Sequence, residues 1–517
     1  MPSGGGAFPA APTDRPASPW SFQAAVILLL VALATRLVAL DNPVANPDDQ
    51  FYLMVGDAMR DGSWPYVDIW DRKPFGLFAL FAIIAVIGNA SIPAMNLIAL
   101  MFAWATALVV RRIGLILTGN QGATLAGAAY LLMLPLFSGQ TAQAPIFFNL
   151  PIALAALALF KAVDAEGPAI TRLAMLAMLG CGLATSLKPV AVVEGGYFGL
   201  AFLWLMHRRA RPTVTIARNA AVMVLIALTP TLIPMLAYAA AGPEAFHAFF
   251  HANFVSIFQK SSLGMGAQQA GLLYFLLFMG PLMAFAALGL GERLRGKGDV
   301  RQWLLLGWLI AALGGYLVVP QFYDQYALPL IAPLSICSAI LFDRHRIGLV
   351  MFAALVAFGL MAGQISAWQK NRADIQTYHR LSQAVDEARH GGCILVNEGP
   401  TWLYRSTGAC RLTPYLFPGH LNLITEVNSV GVDTVAETRR VLAQRPAVIT
   451  FQPSTAARHN PATERLLHDA LRDEYQLVAM IGPDASPSLA TLQVWQRRDL
   501  GAPPARAPNL TRPGNGS

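Results

Sequence analysis

Long apolar runs broken by short polar stretches dominate the chain up to about residue 366, and then they stop. Runs at 22–40, 93–110, 122–137, 145–161, 171–187, 189–206, 216–240, 269–290, 301–319, 327–342 and 347–366 each come near the roughly 20 apolar residues that cross a bilayer as a helix. The run 76–88 has only 13 residues, which suits a re-entrant or interfacial segment. Past residue 367 the pattern shortens. Helical stretches at 373–390, 435–443 and 462–471 alternate with β-rich runs at 393–397, 446–451, 476–480 and 489–496, as in a small α/β domain. The ends, rich in Gly, Pro and Ala, are expected to be disordered. The pattern predicts an all-α polytopic membrane protein of about 11 transmembrane helices plus re-entrant or interfacial helices, with a small C-terminal extracytoplasmic α/β domain. The expected division is 1–19, a disordered N-terminus; 20–368, a transmembrane core with its first outer loop at 41–75; 369–498, the α/β domain; and 499–517, a disordered tail.

Composition strengthens this picture and charge orients it. Hydrophobic residues make up 55% and charged residues 13%, against about 25% charged in soluble chains. The net charge of +8 comes from basic residues in short loops, which sets membrane orientation and gives no basic face for nucleic acid. With the N-terminus cytoplasmic, the clusters Arg111–Arg112, Lys161–Arg172, His207–Arg211, Glu292–Arg301 and Asp343–Arg346 all fall on the cytoplasmic side. That holds only if 76–88 does not cross. The loop 41–75, the stretch 241–268, the turn 320–326 and everything after 367 then lie outside. The first run has no small-residue cleavage site after it, so it is read as a retained helix. Cys181 and Cys337 sit inside apolar runs as packing residues, whereas Cys393 and Cys410 would meet an oxidising space where a disulfide is plausible.

Polar chemistry concentrates in the first outer loop. Asp41, Asp48, Asp49, Asp57, Asp61, Asp68 and Asp71 stand there with Arg60, Arg72 and Lys73, among Phe51, Tyr52, Trp64, Tyr66 and Trp70. The adjacent acids Asp48 and Asp49 repel, which raises the pKa of one if it is partly buried and makes it a candidate base. They also precede an amphipathic run, where acids cap helix N-termini, and the two roles are compatible. Lys73, beside Arg72 and before Pro74, can hold a phosphate; a snorkelling interfacial lysine is the plainer alternative. Arg36, near the outer end of the first helix, is an expensive place for a charge and joins the phosphate-binding candidates. So does Lys188, followed by Pro189. Glu194 lies alone in an apolar run, six residues on and on a different helix face. Asp324 and Tyr326 belong to a polar aromatic turn that lines the same cavity or simply the interfacial belt. His247 and His251 share a helix face, but without a third ligand they fit an amphipathic interfacial helix better than a metal site. No metal ligands are assigned, and a divalent metal is left open. Asn509 and Asn515 begin glycosylation-type tripeptides in the tail.

Taken together, Pro47-Asp48-Asp49-Gln50-Phe51-Tyr52 and Gly62-x-x-Pro65-Tyr66-x-Asp68-x-Trp70-Asp71-x-Lys73-Pro74, after one transmembrane helix, resemble the first outer loop of the C-type glycosyltransferases. That superfamily includes the dolichyl-phosphate-mannose protein mannosyltransferases and the aminoarabinose transferases of lipid A. Lys188-Pro189 and Tyr326-Ala327-Leu328-Pro329 are similar to later motifs, and the resemblance spans about 20–345 in layout. It implies an inverting transfer of a hexose or pentose from a polyprenyl-phosphate donor to a lipid, glycan or protein acceptor, at the outer face of a bacterial inner membrane. By position, Asp48 would be the acceptor-side base with Asp49 its neighbour, and Lys73 would contact the donor phosphate, with Arg72, Arg36 and Lys188 nearby. Tyr52, Tyr66, Gln143, Glu194, Asp324 and Tyr326 would line the cavity. The chain departs from the family where it has Asp49 for Glu, Gln143 for an acid and Gln325 for His. The rival reading is a transporter or a flippase of lipid-linked sugars, which would scatter ionisable residues near the midplane of paired halves. A third is an anchored binding protein whose α/β domain does the work. Concentration of the charges in one outer loop favours the transferase.

Overall fold

The computed structural model describes residues 21–261, 264–295, 299–319, 321–364, 367–452, 459–482 and 491–501. The predicted disordered segment 1–19, most of the tail, and Asn509 and Asn515 lie outside these residues. Membrane-type helices come first: α1 Phe22–Arg36, α2 Pro47–Arg60, α3 Phe75–Ile87, α4 Ile92–Leu117, α5 Asn120–Met133, α6 Ala144–Ala162, α7 Pro168–Leu187, α8 Val192–Arg208 and α9 Thr213–Ala241. Then follow α10 Pro243–Phe250, α11 Ser256–Gln259, α12 Met265–Arg295, α13 Val300–Leu317, α14 Leu328–Phe342, α15 His345–Gly359 and α16 Ala367–Ala388. Among the described residues, nine helices are long and apolar enough to cross a membrane. The two further expected crossings correspond to α5 with its 3-10 extension to Phe137, and to α15, neither of which is among those nine. The chain is an integral membrane protein. Helix α3 has 13 residues, about 20 Å at 1.5 Å per residue, which falls short of a bilayer core about 30 Å thick.

Burial sorts the spans. The segments containing α6 and α14 are 78% and 89% buried within the protein, whereas those of α9 and α12 are 11% and 22% buried and turn their apolar surface outward. The loop that the sequence singles out packs on this bundle through α2. Asn46 caps α2 by accepting the Asp48 amide at 2.9 Å, Pro47 starts it, and Asp48 and Asp49 occupy its first turn. Gly56 lets α2 lie flush on α3, because a Cβ there would meet the Phe81 carbonyl carbon at 2.4 Å.

After α16 come β1 Ile394–Val396, α17 Leu403–Ser406, α18 Gly419–Asn422, α19 Thr434–Ala443, β2 Val448–Phe451, α20 Pro461–Glu474, β3 Tyr475–Ile481 and β4 Leu492–Arg497. The sheet order is β1-β2-β4-β3; β1 and β2 are parallel, and β4 runs antiparallel to both of its neighbours. All four predicted strands form, within a few residues of their expected ends. Cys393 and Cys410 are disulfide-bonded across a separation of 17 residues, and Cys181 and Cys337 are buried free thiols.

This small domain clasps the first outer loop along its length. Asn42 donates to Asn371 at 2.7 Å, the Trp402 amide to Gln50 at 3.1 Å, Arg405 to Asp57 at 2.5 Å, and the Trp70 amide to the Pro414 carbonyl at 3.0 Å. The strongest link is ionic. Arg72 forks onto Glu426, reaching Oε1 at 3.0 Å with Nη1 and Oε2 with Nη2, while Lys260 reaches the same carboxylate at 2.7 Å. Burial alone would push Glu426 up, but the Arg72 hydrogen bonds and the charges of Arg72 and Lys260 bring it down from 4.5 to about 2.

Two outcomes follow from this packing. Glu426→Ala strands two basic groups at a buried junction and should destabilise the purified protein by about 3–5 kcal/mol in thermal unfolding, with Glu426→Gln losing less. Because the folded pKa is depressed, the stabilisation from Glu426 is full above pH 4.5 and fades as pH falls towards about 2. Removing the disulfide with Cys410→Ala, which opens a loop of 17 residues, should cost the α/β domain about 3 kcal/mol, read as earlier cleavage in limited proteolysis.

Candidate active site

Asp48 and Lys73 come together at the top of the bundle, with Lys73 Nζ 3.9 Å from Asp48 Oδ2. Their side chains are 22% and 31% exposed, which leaves both able to meet a ligand. The local sequence explains the meeting. Helix α2 presents Asp48 from its first turn, and the chain returns through a tight turn in which Tyr66 adopts a φ of 70°. The Tyr66 hydroxyl donates to the Lys73 carbonyl at 2.8 Å, and the Lys73 amide donates to Asp71 Oδ1 at 2.9 Å. Tyr66 itself is wedged edge-on among Phe78, Tyr238 and Phe249. Tyr52 lies under the ammonium, its ring centroid 5.3 Å from Lys73 Nζ. Burial works against the charge on Lys73, but Asp48, Tyr52, Asp71 and Tyr326 together outweigh it, so the ammonium holds its proton more tightly than a free lysine.

The second acid is buried. Asp49 is 2% exposed, and its Oδ2 accepts the Ala142 amide at 2.8 Å. Burial pushes its carboxyl up to about 7, with the Asp48 charge adding to that and the Thr141 and Ala142 groups opposing it. Arg36 shapes the same corner from α1: its guanidinium donates to the Gly139 and Thr141 carbonyls, fixing the turn that carries the Ala142 amide. The side chain of Gln143, next in that turn, is buried and its Nε2 has no hydrogen-bond partner among the described residues.

Lys188 and Tyr326 pack together near the same charges. Lys188 Nζ sits 3.8 Å from the centre of the Tyr326 ring. Burial first, and then the nearby Lys73 charge, lower its pKa to about 7 against the pull of Asp48 and Asp324. Asp324 is held in its own turn, accepting from the Gln325 amide at 2.9 Å and from the Ser138 hydroxyl.

The geometry corrects three of the sequence-based roles. Arg72 is no free phosphate ligand: besides Glu426 it donates to Ser256 at 3.1 Å and Ser429 at 2.9 Å. Arg36 is likewise committed to backbone carbonyls. Glu194, expected in the cavity, accepts from Trp308 Nε1 at 2.7 Å and so joins α8 to α13. One pairing had no sequence signal. His420 Nε2 lies 3.4 Å from Asp71 Oδ2, 349 positions away along the chain, and packs edge-on against Trp70. Burial opposes ionisation of Asp71, yet Lys73, the His420 hydrogen bond and Arg72 together hold it well below the usual carboxylate range. His251 meets Gln259 at 3.0 Å and stacks on His247, and among the described residues no group of three metal-type ligands occurs.

No family model matches the sequence, and no curated protein matches it. Solved structures do match in shape. ArnT from Cupriavidus metallidurans bound to undecaprenyl phosphate superposes with a TM-score of 0.65 at 13% identity, covering 94% of this chain and all 100% of that one. The same protein in the apo state gives a TM-score of 0.64 at 14% identity, over 93% of this chain and 99% of that one. Coverage of both chains end to end includes the C-terminal α/β domain as well as the bundle. The chain therefore has the fold of the C-type membrane glycosyltransferases, as the motifs of its first outer loop implied.

Proposed function

We propose that this protein is an inverting glycosyltransferase that moves a sugar from a polyprenyl phosphate to an acceptor at the extracytoplasmic membrane face. The observation that carries the reading is the partly open carboxylate–ammonium pair, Asp48 and Lys73 at 3.9 Å, placed at one boundary of a C-type fold. A lipid phosphate is a leaving group already dissolved in the bilayer, so the protein needs a base, a cation and positioning, and no nucleotide site. In the proposed step an acceptor hydroxyl or amine attacks the anomeric carbon. The bond from that carbon to the phosphate oxygen breaks with its electron pair, and Asp48 takes the acceptor proton. Lys73, with Lys188 nearby, stabilises the departing phosphate. A single displacement inverts the anomeric centre. Asp49 and the 139–142 turn braced by Arg36 position α2; Arg72 locks the loop to the α/β domain. On this reading Tyr52, Tyr66, Gln143, Asp324 and Tyr326 would line the donor site around the two lysines.

Support for the orientation comes from two directions. The basic clusters align on one side, and the Cys393–Cys410 disulfide fits an oxidising compartment for the C-terminal domain. The proposed location is a bacterial inner membrane with the N-terminus cytoplasmic. ArnT was captured with undecaprenyl phosphate, and a donor of that class suits the apolar approach and paired cations here.

Asp48→Asn keeps the α2 cap, because Asn46 supplies it, and should lower sugar transfer by about 100- to 10,000-fold at normal protein level. Transfer at the parental rate would remove the base assignment. Lys73→Ala should raise the KM for the lipid-phosphate donor by about tenfold or more while leaving the KM for the acceptor near its parental value. Equal changes in both would argue against contact with the phosphate.

A further inference from the structure

A further pocket opens beside the α2 N-terminus, between that helix and the α/β domain. Its volume is about 230 Å³, and Pro47, Glu398, Thr401, Phe417, Asn422 and His459 are among its walls. Three segments of the α/β domain and the start of α2 build it. The Glu398 backbone extends the β1–β2 pairing by donating to the Thr450 carbonyl at 3.2 Å. Asn422 donates to the Asn397 carbonyl at 2.7 Å and to the Glu398 carboxylate, while His459 Nε2 stands 3.3 Å from that same carboxylate. The Asn460 amide donates to the Asn422 carbonyl at 2.7 Å and so fixes His459 against this wall.

Two features say what the pocket would hold. Thr401 is 2% and Asn422 5% exposed, yet Thr401 Oγ1 and Asn422 Oδ1 have no hydrogen-bond partner among the described residues. Buried polar atoms left unpaired are unfavourable, and a ligand bearing several hydroxyls would supply both a donor and an acceptor. Among the described residues the lining contains a carboxylate, Glu398, and no lysine or arginine, which suits a neutral ligand. The apolar part of the lining includes Pro47 and Phe417, the latter packed edge-on against Phe51 of α2 at 5.5 Å. A lining that mixes hydrogen-bonding groups with apolar side chains matches the mixed surface of a sugar ring. Cavities for drug-sized ligands run to about 300–1,000 Å³, so this one is sized for a single ring.

We propose that this pocket is the acceptor subsite and takes one neutral sugar ring of a glycan or glycolipid acceptor. The inference rests on the transferase reading, since its wall residue Pro47 directly precedes Asp48. It narrows the acceptor to a carbohydrate and separates it from the donor phosphate, which belongs with Lys73. Glu398, His459, Asn422 and Thr401 bind the ring hydroxyls, and Phe417 and Pro47 take its apolar face.

The test is binding, measured apart from turnover. Full-length protein in nanodiscs is probed by saturation-transfer NMR with the methyl glycosides of glucose, galactose, mannose and N-acetylglucosamine. At least one should bind, and its affinity should fall about tenfold or more in Glu398→Ala and in the near-isosteric Thr401→Val. Both variants are compared at matched melting temperature, and Thr401→Val serves if Glu398→Ala does not fold. Asp48→Asn should keep glycoside binding while losing transfer. Failure of all four glycosides to bind, binding unaffected by Thr401→Val, or displacement of the glycoside by a serine- and threonine-rich peptide would overturn the proposal. If glycosides bind as expected but the parental protein transfers no sugar, the transferase reading fails and the sugar pocket stands; if Asp48→Asn still transfers sugar, only the base assignment fails.

Discussion

A charge at the edge of a bilayer survives only beside its opposite, and Lys73 is held by that rule. Its ammonium lies between the Asp48 carboxylate, 3.9 Å away, and the charge of Asp71, with the Tyr52 ring beneath it. Removing water from one ion costs several kcal/mol, which an opposite charge at short range offsets. The rest of the outer loop can be understood as the means of keeping these groups in register. Tyr66 fixes the Lys73 carbonyl, Asp71 fixes its amide, and His420 holds Asp71 from the far side.

That requirement also accounts for the C-terminal domain. A loop of some thirty residues over a membrane would, left alone, sample many conformations and lose the pair, since ordering each residue costs about 1–2 kcal/mol. Here it is closed between two solid bodies. Below, Gly56 lets α2 press on α3; above, Asn371, Trp402, Arg405, Pro414 and Glu426 grip it at points spread from Asn42 to Arg72. Structural elements and chemistry thus share residues. Arg72 ties down the loop whose next residue is Lys73, and Pro47 both starts α2 and walls the pocket beside Asp48.

Much of the fold was legible because lipid imposes a simple grammar. Apolar runs such as 145–161 and 216–240 reappear as α6 and α9 with ends moved by a few residues, and in the α/β region the alternation of helix and strand periods placed all four strands. The 13-residue α3 matches the short run 76–88 and falls short of a bilayer core as a straight helix. The site was legible in part. Acids and a Lys-Pro in one loop are a local pattern, so Asp48 and Lys73 stand out in it as candidates, and the fold brings them to 3.9 Å. The partners do not stand out. Asp71 with His420, and Arg72 with Glu426, join positions some 350 residues apart, and nothing within either segment encodes the other. Glu194 was drawn into the cavity for the same reason: an acid in an apolar run announces that a partner exists, but Trp308 on α13 is invisible until the helices pack.

Spare bonding capacity separates the groups that work from the groups that brace, and composition cannot show it. Arg72 spends its guanidinium on Glu426, Ser256 and Ser429, and Arg36 spends two nitrogens on carbonyls. A phosphate would have to break those bonds to use them. Lys73 is different. At 3.9 Å its contact with Asp48 is longer than a hydrogen bond, so the attraction is mainly one of charge and the ammonium hydrogens keep room for another acceptor. Asp48, with its amide committed to Asn46 and its carboxylate partly open, keeps the same freedom on the other side of the gap. Asp48 and Lys73 are thus reachable and incompletely satisfied, which is the observation from which the proposed roles of base and phosphate ligand start.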